Sequence, residues 1–400
     1  METGLVKIFT KEVQEFIHKH KNGSVQELAL TFSHRKDLPI KFILEQIDGY
    51  QRIKNKLPSW SNNNKIIFPA KLNLEQSSSE LTAKYKSEIL NVSSIIDITG
   101  GLGVDTFYFS KNCRSVTYIE QNKELFEIAV NNFMVLGTKN IQTTNQDGID
   151  FLKANKTIYD LIYIDPARRD IINRKMVSLN DCVPNVVLNQ ELFFSKSKRI
   201  MIKASPMLDI SAAISELQFV KEVHIVSVKN ECKEVIYIQE LDYNHEPLII
   251  AINIKSENYL EQFTFTKAEE SEALAIFGFH SKWLYEPNAS VMKSGAFNII
   301  SSRYDILKMA SNTHLYTSNE LKMDFPGNIY EIQDVFKWGD NQANAKYKGL
   351  KMNIKTFNFP WSVDEIKKQM KLKDGGELYL FGCTDFENIK IGILATKQKP

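Results

Sequence analysis

The chain has 400 residues, 43% of them hydrophobic and 24% charged, with a formal net charge of +2. That balance is globular and leaves room for two or three domains. It excludes a bilayer span, since no apolar run approaches the ~20 residues that one needs, and a net charge so near zero does not by itself point to nucleic acid. The N-terminus carries no basic-then-apolar export pattern. Cys113, Cys182, Cys232 and Cys383 lie far apart without a C-x-x-C pair. They read as reduced thiols of the cytoplasm, neither a metal site nor a disulfide framework.

Residues up to about Trp60 read as helices. Val13, Phe16 and Ile17 have helical spacing, and Ser24 with Glu27 makes a capping box. Pro39 suits the first turn of a third helix with Ile40, Ile43, Leu44 and Ile47 on its apolar side. His18, His20 and His34 show no partnered ligand spacing. After a polar loop at Ser61–Lys65, Ser77 with Glu80 predicts the start of another helix. It packs on the sheet or lies with its first turn over a ligand pocket.

The next stretch organises the chain. Ser93-Ser94-Ile95-Ile96-Asp97-Ile98-Thr99-Gly100-Gly101-Leu102-Gly103-Val104-Asp105 reads as a buried strand ending on an acid, a glycine turn and the opening of a helix. Glycines let the backbone approach a ligand, and the new helix points its N–H groups into the same crevice. Val116–Glu120 is a second strand ending on an acid, roughly 20 residues on, where a ribose-binding carboxylate is expected. Ile141–Gln146 leads to Asp147, and Tyr159–Ile164 leads to Asp165-Pro166-Ala167-Arg168-Arg169. Ligands of open α/β sheets bind beyond the carboxyl ends of strands. Arg199–Lys203 is a fifth strand, Leu208–Leu217 a helix, and Val223–Val228 with Glu234–Ile238 an antiparallel hairpin, because the connection is too short for a parallel crossover.

Past Leu241 the period changes. Pro247–Lys255 is strand-like, Ala268–Ala275 a linker or short helix, Trp283–Ala289 a turn into a helix, and Asp305–Ala310 apolar at helical spacing. From Phe325-Pro326-Gly327 the pattern is strand, helix, strand, with Gly375-Gly376 turning into paired C-terminal strands. Lys346, Lys348, Lys351 and Lys355 interleave with Tyr347, Phe357, Phe359 and Trp361, a chemistry suited to RNA.

The segment from about Leu74 to Leu241 resembles a class I S-adenosylmethionine (SAM) dependent methyltransferase. Glu286-Pro287-Asn288, Phe325-Pro326-Gly327 and Leu378-Tyr379-Leu380-Phe381 extend the resemblance to a bacterial family of such enzymes with a ferredoxin-like module and a C-terminal THUMP-like domain. The fold implied is α/β: a Rossmann-like core at 74–245, an N-terminal helical region at 1–73, a ferredoxin-like α+β module at 246–324 and a THUMP-like domain at 325–400. By resemblance Asp97, Gly100, Gly101 and Gly103 surround the methionine part of SAM, Glu120 binds the ribose, Asp147 meets the adenine, and Asp165 faces the transferred methyl group. THUMP domains occur in RNA-modifying enzymes, so the resemblance implies an RNA substrate; no metal is expected.

Asp165 is the expected catalytic group, as a base, as a positioning group, or as a plain turn cap. Arg168 and Arg169 suit phosphate or a base face, or pair with carboxylates. The motif Asp165-Pro166-Ala167-Arg168 lacks the second proline and aromatic ring that hold a flipped base for amine methylation. Lys203-Ala204-Ser205-Pro206 stands where the uridine-C5 enzymes carry a nucleophilic cysteine. A protein or small-molecule acceptor, and an RNA-binding protein with a silent SAM fold, are the alternatives.

Overall fold

The computed structural model describes residues 8–168 and 178–398. Contacts divide the chain into two units, residues 1–221 with 235–245, and residues 222–234 with 246–400.

The first unit begins with helices. α1 (Lys11–His20) and α2 (Val25–Phe32) start on Thr10 and Ser24, whose hydroxyls accept from the N–H groups of Val13 and Glu27. α3 (Ile40–Ile53), α4 (Pro58–Ser61), α5 (Lys71–Gln76) and α6 (Glu80–Glu88) follow. The cap of α6 is Ser79, which accepts from the Thr82 N–H at 3.2 Å. The expected Ser77 instead donates to the Leu74 carbonyl, and Glu80 accepts from the Ser59 N–H. Adjacent serines at 77, 78 and 79 make the cap ambiguous in sequence by two residues.

Ile43, Ile47, Trp60 and Leu74 share one core with Val104, Phe107, Tyr118 and Phe133, so the N-terminal helices pack on the α/β part. Each such side chain contributes about 1.5–3 kcal/mol by leaving water. The non-strand segment at Ile67-Phe68 is held by two buried amides. Asn132 accepts from and donates to the Ile67 backbone, both at 2.9 Å, and Gln46 does the same to Phe68 at 2.8 and 3.0 Å. These amides satisfy backbone groups that no ladder reaches.

The α/β part runs β1 (Ser94–Asp97), α7 (Val104–Asn112), β2 (Ser115–Ile119), α8 (Lys123–Val135), β3 (Ile141–Thr144), α9 (Gly148–Ala154) and β4 (Leu161–Ile164). A short ribbon of β5 (Ala167–Arg168) and β6 (Cys182–Val183) comes next, then α10 (Gln190–Phe194), β7 (Arg199–Ala204) and α11 (Ile210–Glu216). The strand order is β3-β2-β1-β4-β7, all parallel, as the alternating pattern predicts. The chain steps from β1 to β2 on one side and to β4 on the other, so the switch point lies at β1. β8 (Val220–Val228) and β9 (Glu231–Glu240) turn on Lys229 and Asn230, with φ of 50° and 66°. Two positive-φ residues are what a two-residue hairpin turn requires. Residues 235–240 of β9 run antiparallel to β7.

In the second unit β10 (Leu248–Ser256) lies parallel to β8 and antiparallel to β11 (Tyr259–Phe265). Then come α12 (Lys267–Glu272), β12 (Trp283–Pro287), α13 (Ala289–Ser294), α14 (Ile299–Tyr304), β13 (Leu307–Ala310), β14 (Thr313–Ser318) and β15 (Gly327–Lys337). α15 (Asn341–Tyr347), β16 (Asn353–Phe357), α16 (Val363–Met370), β17 (Leu378–Thr384) and β18 (Lys390–Lys397) complete it. The order β13-β14-β12-β15-β18-β17-β16 makes a seven-stranded sheet over a core of Leu284, Met309, Leu315, Tyr330, Phe381 and Ile393. Two expectations are corrected here. Trp283–Pro287 is a strand before its helix, and Leu307–Ala310 is a strand although its apolar residues have helical spacing. All five β12 residues are buried, so polar alternation is erased, and short apolar runs do not distinguish strand from helix.

Candidate functional site

The carboxyl ends of β1, β2, β3 and β4 carry the site. Asp97 ends β1 and is buried. Its Oδ1 accepts from the Thr99 N–H at 3.0 Å, and its Oδ2 accepts from the Thr106 hydroxyl at 2.6 Å. Burial pushes its carboxyl up to about 7 against those bonds, with Asp105 and Asp165 nearby adding to the rise. The turn that follows is possible only with glycine. A Cβ on Gly100 would lie 2.1 Å from the Tyr118 ring, and Gly103 combines a φ of 80° with a Cβ position 2.4 Å from Phe133.

Glu120 follows β2 and braces this turn. Its Oε2 accepts from the Gly101 N–H at 2.8 Å and its Oε1 from the Asn122 N–H at 2.7 Å. Each oxygen keeps a further lone pair for a ligand. Asp147 is exposed and caps α9: its Oδ1 accepts from the N–H groups of Ile149 and Asp150 at 2.9 and 3.0 Å. Gly148 beside it packs against the Ile98 carbonyl, so the first turn of α9 lies close against the chain leaving β1.

Asp165 follows β4 with its side chain 34% exposed. Its N–H donates to the Thr99 hydroxyl at 2.7 Å, and its Oδ2 accepts from Lys203 Nζ at 2.5 Å. Lys203 stands on β7 and also donates to Ser78 Oγ at 3.1 Å. Behind it lies a second charged pair. Lys86 of α6 reaches Asp105 Oδ1 at 3.2 Å and Ser78 Oγ at 3.1 Å. Asp105 Oδ2 accepts from Tyr163 at 2.7 Å and Ser78 at 2.8 Å. Burial raises the Asp105 carboxyl, but Lys86, Lys203, Tyr163 and Ser78 together hold it below its ordinary value.

Sequence gives Lys86, Asp105 and Lys203 no site role, although Asp105 is the acid that opens a helix after the glycine turn. Lys203 had two signals: it is a charge closing the apolar run Ile200-Met201-Ile202, and it opens the Lys203-Ala204-Ser205-Pro206 segment after the fifth strand. Lys86 had none, since Lys84-Tyr85-Lys86 reads as an outer helix face. Arg168 is in β5, and Arg169 lies outside the described residues.

The four C-terminal lysines separate. Lys355 pairs with Glu286 at 2.6 and 2.7 Å, and Lys346 pairs with Asp334 at 2.8 Å. Lys348 and Lys351 are exposed. Phe359 and Trp361 pack on the core around Phe336 and Ile366, with Trp361 stacked on Trp338 at 5.8 Å.

A ferredoxin-like domain model matches residues 283–326, and a THUMP domain-like model matches residues 327–397. The C-terminal part is a ferredoxin-like domain followed by a THUMP-like domain. β12, α13, α14, β13 and β14 make up the ferredoxin-like domain, and β15 to β18 with α15 and α16 the THUMP-like domain. Over 100% of both chains the fold is that of a candidate methyltransferase from Porphyromonas gingivalis W83, with a TM-score of 0.88 and 28% identity. The Rossmann-like core thus has a methyltransferase fold along with its C-terminal domains. A Mycoplasma mobile protein described as an uncharacterized RNA methyltransferase is 28% identical over 195 residues, 45% of this chain and 53% of its own length. The chain therefore spans about half the length of that curated relative. Among the described residues no helix is long and apolar enough to cross a membrane.

Proposed function

We propose that this protein is a SAM-dependent methyltransferase acting on RNA in the cytoplasm. The observation that carries the reading is the set of Asp97, Glu120, Asp147 and Asp165 at the carboxyl ends of β1, β2, β3 and β4, around the Gly100–Gly103 turn. These residues fit SAM. The turn presses its backbone so closely on the Tyr118 and Phe133 rings that neither Gly100 nor Gly103 has room for a Cβ, and the lone pairs left on Glu120 match ribose hydroxyls. Bound SAM supplies a methyl group already activated on a sulfonium.

The chain's own residues have the remaining tasks. Glu120 orients the ribose while keeping Gly101 in place. Asp97 faces the methionine end, and Asp147 meets the adenine edge. Asp165 holds the acceptor by an N–H or O–H and accepts its proton where one must leave. Arg168 and Arg169 take substrate phosphate. The THUMP-like domain and the Mycoplasma relative support RNA as substrate. On the THUMP-like domain, Lys348 and Lys351 are the outward phosphate contacts, since Lys346 and Lys355 are committed to Asp334 and Glu286.

The test is transfer of label from methyl-labelled SAM into total RNA, protein and small-molecule fractions, using RNA from a strain lacking the protein. Label in RNA is the expected result. Label in protein or small molecules instead would move the substrate. RNA binding with no label in any fraction would make this a silent SAM fold.

A further inference from the structure

We propose that Lys203 is a positioning residue that fixes Asp165 against the acceptor. The inference rests on the methyltransferase reading and goes beyond it by naming how the acceptor-facing carboxylate is held. Two anchors set Asp165: its N–H on the Thr99 hydroxyl at 2.7 Å, and its Oδ2 on Lys203 at 2.5 Å. Lys203 occupies Oδ2, so Oδ1 is the oxygen offered to an acceptor N–H or O–H.

Lys203 is itself anchored. Its ammonium contacts Ser78 Oγ at 3.1 Å and lies 3.9 Å from Asp105 Oδ2. Ser78 and Asp105 are tied in turn to Lys86. Side-chain exposure rises along this row, from 0% at Lys86 through 9% at Asp105 and 12% at Lys203 to 34% at Asp165. Taking such charges out of water is costly, and apolar packing of the same volume is often as stable. Two cations and two carboxylates kept in a row that opens only at Asp165 are explained by what they do for that last carboxylate. They give it one orientation. A displacement of 1 Å at a reacting group costs about 10²-fold in rate.

The test compares wild type with Lys203→Met, Asp165→Asn and the double variant, each by kcat, KM for RNA, SAM affinity from calorimetry, and melting temperature. Lys203→Met should lower kcat by about 10²-fold and leave SAM affinity within about twofold. The double variant should be little slower than Asp165→Asn alone, because the two residues act as one unit. Its melting temperature should likewise depart from the sum of the single shifts. Unchanged kcat in Lys203→Met, or losses that multiply in the double variant, would overturn the proposal. If Lys203→Met does not fold, Lys203→Arg keeps the charge while moving the donor fork, and it should fold with kcat down by about tenfold. Wild-type kcat in Lys203→Arg would also overturn the proposal. Wild-type protein that labels no fraction would overturn the enzyme reading and Lys203's role with it. An active wild type beside an equally active Lys203→Met would overturn Lys203's role alone.

Discussion

At the scale of single residues, Asp97 gives the clearest test. Burial raises its carboxyl from 3.8 to about 7, a shift worth about 4 kcal/mol. The folded state then holds a proton that the unfolded chain has lost between these two values. Stability from this group is full below about pH 4 and is lost as pH rises towards 7. Melting curves between pH 4 and 8 should show that slope, and Asp97→Asn should flatten it. For Glu120→Ala we expect SAM affinity to fall by roughly 2–4 kcal/mol, since hydrogen bonds to a charged group are worth about 1.5–3 kcal/mol each. Unchanged affinity by calorimetry would remove Glu120 from the ribose. The strand-end acids were legible because an acid closing an apolar run is rare without a reason. The lysines behind Asp165 were not, because burial of a charge depends on which segment covers it. Ser78, over a hundred positions before Lys203 in the chain, supplies that cover.

At the scale of elements, the Gly100–Gly103 turn works because β2 backs it. Tyr118 is fully buried and donates to the Gly101 carbonyl at 2.6 Å, so its ring has no room to retreat. Gly100→Ala should therefore cost about 1–3 kcal/mol in urea denaturation and weaken SAM binding as well. Gly137, past the end of α8, has a φ of 73° and nothing within 4 Å of its Cβ position. Gly137→Ala should carry only the backbone cost, about 1–2 kcal/mol, with SAM binding intact. Equal effects of the two substitutions on SAM binding would show that the turn is not a cradle. The parallel strands were legible from their apolar runs and acid ends, and the β8–β9 hairpin from its short connection. β11, β14 and β16 leave no such mark in the sequence. Every residue of β16 is half-buried, so it offers no alternation, and Thr313–Ser318 mixes polar residues into a nearly buried strand.

At the scale of the whole molecule, the RNA reading makes a prediction about salt. Changing Lys348 and Lys351 together to Gln should flatten the log–log salt slope of RNA binding by about 1.4, at roughly 0.7 per phosphate contact. Lys355→Gln should leave the slope unchanged and lower the melting temperature, because Glu286 then loses its ammonium partner. The reverse pattern would show that the outward lysines are merely solvated. The division of the chain has a consequence for how the protein is made. The first unit takes residues up to 221 and then 235–245, while 222–234 belong to the second unit. During synthesis the ribosome therefore delivers the opening piece of the second unit before the closing strand of the first. Residues 222–228 of β8 wait for β10 at 248–254 to emerge and pair with them. A chain halted near residue 245 would leave the β10 side of that strand unpaired, an open edge of the kind that recruits other chains. The two units are thus inherited and translated as one interleaved text, which a single cut or a simple gene fusion does not divide.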